Sequence, residues 1–397
     1  MEINKVPEYE LTQRLNRFKS EMDKAYPDWE LCGITGDVNM YYLTGTICDG
    51  LLLVRRSGDS VLWVRRSYER SVLESEFGDI RRMSTYRDVA GEVGALPDTL
   101  YLDTAHATMA WCNMLRKYMP FKNILPLDLV MLKTRAVKSE YELAHMMRAG
   151  ITLDLLLKQE LPSFLREGIS EAQLSAELFP LFVINGHHGL NRFSGADAVM
   201  GHLSFGESPL YPAVFDGASG SAGLCPAVPV LGSLENTLSD GDLIYVDLGF
   251  GIEGYHVDKT LIYSYKRPQP DHVVAAHRHC LELERRAAEM LRPGVKPSEI
   301  YAEIMDAVKP EYRSSFMGAP GRPVSFIGHS LGLYVNEWPV IAKGFDDPLE
   351  HGMTIALEPK IGIDGVGMVG SENTYLVTDT GGVSITGDAS DIILCYG

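Results

Sequence analysis

The sequence predicts an α/β (α+β) protein of two domains, residues 1–135 and 136–397, with its chemistry in the second. Three observations carry this. Strand-like runs alternate with helical ones as far as residue 135. A capping pattern, Ser139-x-x-Glu142, then opens a fresh helix. Beyond it, four carboxylates and one imidazole (Asp247, Asp258, His329, Glu358 and Glu372) each sit at a strand-like run beside a Gly-rich turn.

The first domain opens with a helix whose apolar positions are Leu11, Leu15, Phe18 and Met22. Gly50–Val54 and Val61–Val64 read as strands, and these stretches and the opening helix read as core. The Ser139 helix is expected to bury Leu143, Met146, Met147 and Ile151 on one face. Ser170-x-x-Gln173 starts another helix in the same way. Residues 182–240 are rich in Gly, Ser and Pro; such a long irregular stretch reads as the wall of a functional pocket.

A chain of 397 residues can bury a large core and favours two domains. Apolar content of 45% and charged content of 22% are ordinary for a globular protein. No apolar run reaches the ~18 residues that would span a bilayer, so no membrane partner is expected. Met1-Glu2-Ile3-Asn4-Lys5 lacks the basic-then-apolar pattern of a signal peptide. Six scattered cysteines without CxxC spacing read as reduced thiols, and the expected location is cytoplasmic. A net charge of −17 with no basic stripe excludes nucleic acid as a partner.

Four anions drawn together repel, so two must take up protons or cations must neutralise them. Asp247 ends the run Leu243-Ile244-Tyr245-Val246, and Asp258 lies beyond the turn Gly251-Ile252-Glu253-Gly254. A hairpin centred between Ile252 and Glu253 would set them opposite each other, with Cβ atoms roughly 5 Å apart. Glu358 and Glu372 repeat the arrangement about Gly365, and His329 adds one nitrogen. Shared carboxylates of this kind are what two ions about 3.5–4 Å apart require. An oxygen-rich shell with one imidazole favours Mn²⁺, with Co²⁺, Fe²⁺ and Zn²⁺ also accommodated.

Tyr245-Val246-Asp247-Leu248-Gly249, Gly254-Tyr255-His256-Val257-Asp258-Lys259-Thr260, Gly328-His329-Ser330-Leu331-Gly332-Leu333, Leu357-Glu358-Pro359 and Ser371-Glu372-Asn373 resemble the metal-binding blocks of the pita-bread metallopeptidases. That group contains methionine aminopeptidase, aminopeptidase P, prolidase and creatinase. Tyr42-Leu43-Thr44-Gly45, Lys138-Ser139-Glu140-Tyr141-Glu142 and Leu291-Arg292-Pro293-Gly294 extend the resemblance over essentially the whole chain, to the two-domain creatinase, aminopeptidase P and prolidase branch. The resemblance implies a creatinase-like N-terminal domain with a mixed sheet, then a pita-bread catalytic domain with a curved antiparallel sheet and flanking helices. It implies two divalent metal ions, with Asp247 on one, His329 and Glu358 on the other, and Asp258 and Glu372 bridging. A hydroxide shared between the ions would be the nucleophile, and Glu358 would handle its proton. The implied substrates are Xaa-Pro dipeptides or the N-terminal Xaa-Pro bond of short peptides, and the implied assembly is a homodimer.

Four departures accompany the resemblance. The His that relatives carry in the loop ahead of the first metal Asp is absent, and Cys225 or a neighbour stands in that region. Asn336 occupies the position of a second His; an amide can donate to an oxyanion but cannot shuttle a proton. Gly370 replaces an Arg, and Lys360 follows Pro359 where relatives usually carry Gly. Candidates to compensate are His187, His188 and Arg192, which can reach a substrate carboxylate or can be plain loop residues. His256 alternates onto the face of Asp258 and can line the site. Trp338 and Pro339 suit a pocket wall, and Thr260 either orients Asp258 or is an ordinary strand residue. These departures keep two other readings open: a creatinase-like C–N hydrolase or lyase for a small non-peptide metabolite, and a metal-free binding module. Retention of all five ligand positions argues against the last.

Overall fold

The Leu11, Phe18 and Met22 spacing becomes helix α1 (Glu8–Ala25), which buries all three side chains. The computed structural model describes residues 3–195 and 197–396 and divides into two compact units, Met1–Arg135 and Ala136–Gly397. In the first unit, six strands run in chain order: β1 (Leu31–Ile34), β2 (Asp49–Arg55), β3 (Val61–Arg66), β4 (Ile80–Arg82), β5 (Thr99–Leu102) and β6 (Asn123–Pro126). They form one mixed sheet in the order β4-β3-β2-β1-β5-β6, with β1–β2 antiparallel and β1–β5 parallel. The Tyr42-Leu43-Thr44-Gly45 stretch ends helix α2 (Asp37–Thr44). Gly45 takes φ +73° there, and its N–H donates to the Tyr41 carbonyl.

In the second unit both capping predictions hold. Ser139 and Glu142 exchange hydrogen bonds at the start of α3 (Glu140–Leu155), and Ser170 and Gln173 do so at the start of α4 (Glu171–Ile184). The buried face of α3 differs from the expected one. Met146, Ala149, Gly150 and Leu153 are buried, while Met147 and Ile151 are 47% and 60% exposed. Gly150 explains the rotation: a Cβ built there would lie 2.0 Å from the Ile385 carbonyl oxygen, so the helix approaches that segment along its glycine side. Gly150→Ala should therefore cost about 1–3 kcal/mol in denaturant titration, whereas at an exposed helical site the same change gains about 1 kcal/mol.

Residues 185–242 are largely irregular and contain the short strand β7 (His202–Phe205). The strands β8 (Leu243–Ile252) and β9 (Tyr255–Tyr265) follow. The chain then forms β10 (Phe326–Ser330), β11 (Glu337–Ala342), β12 (Thr354–Leu357), β13 (Lys360–Ile363), β14 (Gly367–Gly370), β15 (Asn373–Thr378), β16 (Gly381–Ser384) and β17 (Ile393–Cys395). One sheet has the order β17-β9-β8-β7 and another β11-β10-β12-β15-β16; β13 pairs with β14. All these pairings are antiparallel except β9–β17.

Helices α5 (Asp271–Glu289) and α6 (Pro297–Ala307) supply Val273, Cys280, Leu283, Ile300 and Ile304 to a core shared with Tyr245, Ile262, Ile355, Leu357 and Val377. Each such apolar side chain contributes roughly 1.5–3 kcal/mol of transfer free energy, before entropy is subtracted. A buried polar network lies beside this core. The Lys259 ammonium donates to Asn373 Oδ1 and the Thr386 carbonyl, and Glu284 accepts from Asn373 and Tyr375. It fixes β15 against β9, and with it the position of Glu372.

Candidate metal centre

The turn of the first hairpin is Glu253-Gly254, one step beyond the expected centre. Both residues have positive φ (+51° and +89°), the signature of a two-residue type I′ turn. Ile252 is a buried strand residue paired with Tyr255 and takes no part in the loop. The register therefore sets Asp247 opposite Thr260 and Asp258 opposite Gly249. Asp247 and Asp258 still share a face, as diagonal neighbours rather than direct partners.

In the second hairpin, Leu357 pairs with Asn373 and Lys360 with Gly370. Glu358 and Glu372 fall between these pairs, where both strands break from one ladder to the next. An isolated bridge between Thr260 and Glu372 ties the hairpins together. Thr260 Oγ1 donates to Glu372 Oε2 at 2.9 Å, so this threonine orients Glu372 rather than Asp258.

Asp258, His329 and Glu372 converge: each offers one ligand atom, and these atoms lie within 4.8 Å of one another. Two carboxylates and an imidazole at that separation fit one divalent ion. His329 Nε2 also stands 3.5 Å from Glu358 Oε1. Removing the orienting hydroxyl should weaken that ion. Thr260→Val should lower metal affinity by about 10–100-fold, the usual effect of losing an outer-shell partner, read by titration with Mn²⁺.

Among the carboxylates expected on the two ions lies the Lys360 ammonium. Its Nζ lies 2.9 Å from Asp247 Oδ2, 2.7 Å from Glu358 Oε2 and 2.9 Å from Glu372 Oε2. An ammonium has three N–H donors, and here three carboxylates take them all. Lys360 is 1% exposed. Burial by itself would lower its pKa, but the charges of Asp247, Glu358 and Glu372 outweigh that and hold it well above the usual lysine value. The donor set as it stands fits one ion and not two.

The remaining electrostatics follow from this cation. Burial raises the Asp247 carboxyl, but Lys360 and then His202 more than offset it, and the net shift is downward. Tyr245 Oη adds a hydrogen bond to Asp247 Oδ2 at 2.7 Å. Asp258 and Glu372 are pushed well above the usual carboxylate range. Burial is the main cause for both, followed by the charge of Asp247 on Asp258 and of Asp258 on Glu372. Three participants went unread in the sequence: the ammonium of Lys360, the Tyr245 hydroxyl, and His202, which β7 pairs directly with Asp247. The alternation Tyr245, Asp247 and Glu358, Lys360 was the available signal, because residues two apart on a strand share a face.

His187, His188, Arg192 and His256 form a group around the Gly251 edge of the first hairpin. His188 Nε2 lies 3.1 Å from His256 Nε2, and His256 Nδ1 lies 3.1 Å from the Gly332 carbonyl oxygen. The Arg192 backbone N–H donates to His256 Nε2 at 3.3 Å. Burial, then neighbouring positive charge, lowers His188 to about 4 and His256 to about 3, so both are neutral at pH 7. Gly251 makes room for this pair, since a Cβ there would sit 2.0 Å from the His188 ring. His187 is buried against Phe182 and Phe250, and its Nδ1 accepts from the Gly251 N–H. Asn336 is exposed and exchanges hydrogen bonds with Ser194. Cys225 is exposed and closes a tight turn with Val228. Trp338 packs, half-buried, against the core under β10.

Residues 144–379 match the metallopeptidase family M24, and residues 14–137 match the creatinase/prolidase N-terminal domain. A probable dipeptidase PepE of Mycobacterium bovis is 28% identical over 267 residues, 67% of this chain and 62% of that relative. The chain thus aligns with about three-fifths of that dipeptidase's length. Among solved structures, dipeptidase PepE from Mycobacterium ulcerans superposes with a TM-score of 0.80 at 22% identity, over 99% of this chain and 100% of that one. A Xaa-Pro dipeptidase from Bacillus anthracis gives 0.79 at 21%, over 97% and 99%. At these identities the superpositions establish the two-domain pita-bread fold.

Proposed function

Because the chain belongs to metallopeptidase family M24, we propose that it hydrolyses Xaa-Pro dipeptides or the N-terminal Xaa-Pro bond of short peptides. The observation that carries this reading is the Asp258, His329 and Glu372 ligand set, lying inside the matched region. A divalent ion held there, with Mn²⁺ the preferred candidate, supplies a Lewis acid for the scissile carbonyl and a lowered pKa for attacking water.

The protein's own groups do the rest. Glu358, with one oxygen on Lys360 and the other beside His329, is placed to accept the proton of the attacking water and pass it to the leaving nitrogen. Lys360, its three donors taken by Asp247, Glu358 and Glu372, keeps those carboxylates in place. Tyr245 and Lys360 hold Asp247 ionised and immobile. Arg192 offers charge to a substrate carboxylate, while neutral His188 and His256, bonded to each other and to the backbone of Gly254, Arg192 and Gly332, hold the loop that carries it. Trp338 forms apolar wall and Asn336 anchors the Ser194 loop edge; His187 and Cys225 shape the surrounding loops.

We assign a reducing, cytoplasmic setting, supported by six free cysteines, four of them buried. A homodimer is the expected assembly, to be read by light scattering. The functional test is release of proline from a Xaa-Pro panel by Mn²⁺-loaded protein. No turnover in a sample of verified metal content would end the peptidase reading, and turnover of amidino or betaine-like compounds instead would favour the creatinase-like alternative.

A further inference from the structure

We infer that Lys360 is a built-in replacement for one of the two metal ions, so that each chain binds a single divalent ion at Asp258, His329 and Glu372. The inference concerns the number of cations and stands apart from which bond is cut. Its basis is geometric. The lysine's three donors are saturated by Asp247, Glu358 and Glu372, three of the four carboxylates that two ions would have to share. Asp247 is engaged a second time by Tyr245, on the same oxygen that Lys360 uses. What remains uncommitted to the ammonium is Asp258 and His329, and Glu372 reaches both cation positions.

The side chain is also held where it is. Lys360 pairs across the hairpin with Gly370, and a Cβ at Gly370 would lie 2.9 Å from Lys360 Cγ and 2.5 Å from the Pro359 carbonyl oxygen. The two departures noted in the sequence are thus direct partners: a lysine appears on one strand, and a bare glycine opposite leaves room for its stem. The ring of Tyr245 flanks the ammonium at 5.8 Å. The charge count is coherent as well. Four carboxylates balanced by one ammonium and one dication leave a single net negative charge, which suits a site that must hold a proton acceptor.

Three consequences separate this arrangement from a two-ion centre. Elemental analysis of wild-type protein dialysed after Mn²⁺ loading should give one ion per chain, and the Mn²⁺ resonance should be that of isolated rather than spin-coupled ions. Lys360→Gly should raise the count to two and produce a coupled pair. Should Lys360→Gly fail to fold, the wild-type count and spectrum decide the matter alone. Two tightly held ions in the wild type would overturn the inference, as would none, or a single ion persisting in a folded Lys360→Gly protein. Every readout is taken without substrate, so one ion with no peptide turnover would sink the peptidase reading and leave this inference standing.

Discussion

Asp258→Asn should release the bound divalent ion and lower kcat/KM by at least on the order of 10³-fold. One oxyanion-stabilising donor alone is worth 10²–10³, and here the whole Lewis acid goes. The substitution keeps the shape of the side chain while exchanging an anionic ligand oxygen for a neutral amide. The fold should survive it. Asp258 Oδ1 accepts from the Lys259 N–H, which an amide oxygen can continue to do. Burial and neighbouring anions push the Asp258 carboxyl well above the usual range, and Asn keeps its shape without the charge that burial penalises. In thermal unfolding the metal-free variant should therefore be no less stable than metal-free wild type. Loss of activity with an unchanged metal content would contradict the assignment of Asp258 as a ligand.

Lys360→Met is expected to have the largest effect on stability. Removing one partner from a buried ionic cluster typically costs 3–5 kcal/mol, because the remaining charges stay desolvated and unpaired. Metal-free Lys360→Met should unfold at correspondingly lower denaturant, and excess Mn²⁺ should recover the loss by placing a dication where the ammonium was. The pH dependence has a definite sign. Asp247 has a depressed folded pKa, so its contribution is present above the unfolded value near 3.9 and is lost as pH falls through the folded one. The gap between wild type and variant should accordingly narrow in acid.

Asp258 and Glu372 act oppositely. Their folded pKa values are raised, so their contribution is complete below about pH 4 and disappears as pH rises through the folded values. Metal binding below those raised folded values should therefore expel protons. Calorimetric titrations in two buffers of different ionisation enthalpy would register that release, and equal apparent enthalpies would refute it.

Much of this architecture was legible because it follows from local rules. The Ser139 and Ser170 capping boxes, the strand runs and the second carboxylate hairpin depend on neighbours in the chain, and the Leu357–Asn373 and Lys360–Gly370 pairings sit where turn symmetry about Gly365 puts them. The misreadings have tertiary causes. The turn at Glu253-Gly254 was displaced by one residue because Ile252 is recruited into the buried strand. The face of α3 rotated because Gly150 lets the backbone of Ile385 approach. Thr260 serves Glu372 because an isolated bridge joins two hairpins far apart in sequence. Lys360 was visible as a departure, but its meaning lay in the register that carries it among Asp247, Glu358 and Glu372. The i, i+2 spacing sets Lys360 on the face of Glu358, but no spacing rule links it to Asp247 before the sheets are assembled.

Anomalous diffraction at the manganese edge, from crystals grown with excess Mn²⁺, is the most direct check on the cation arrangement. It should show one peak per chain, ligated by Asp258, His329 and Glu372, with the Lys360 ammonium within hydrogen-bond distance of Asp247. A pair of peaks about 3.5 Å apart, with Lys360 turned away from the carboxylates, would contradict it.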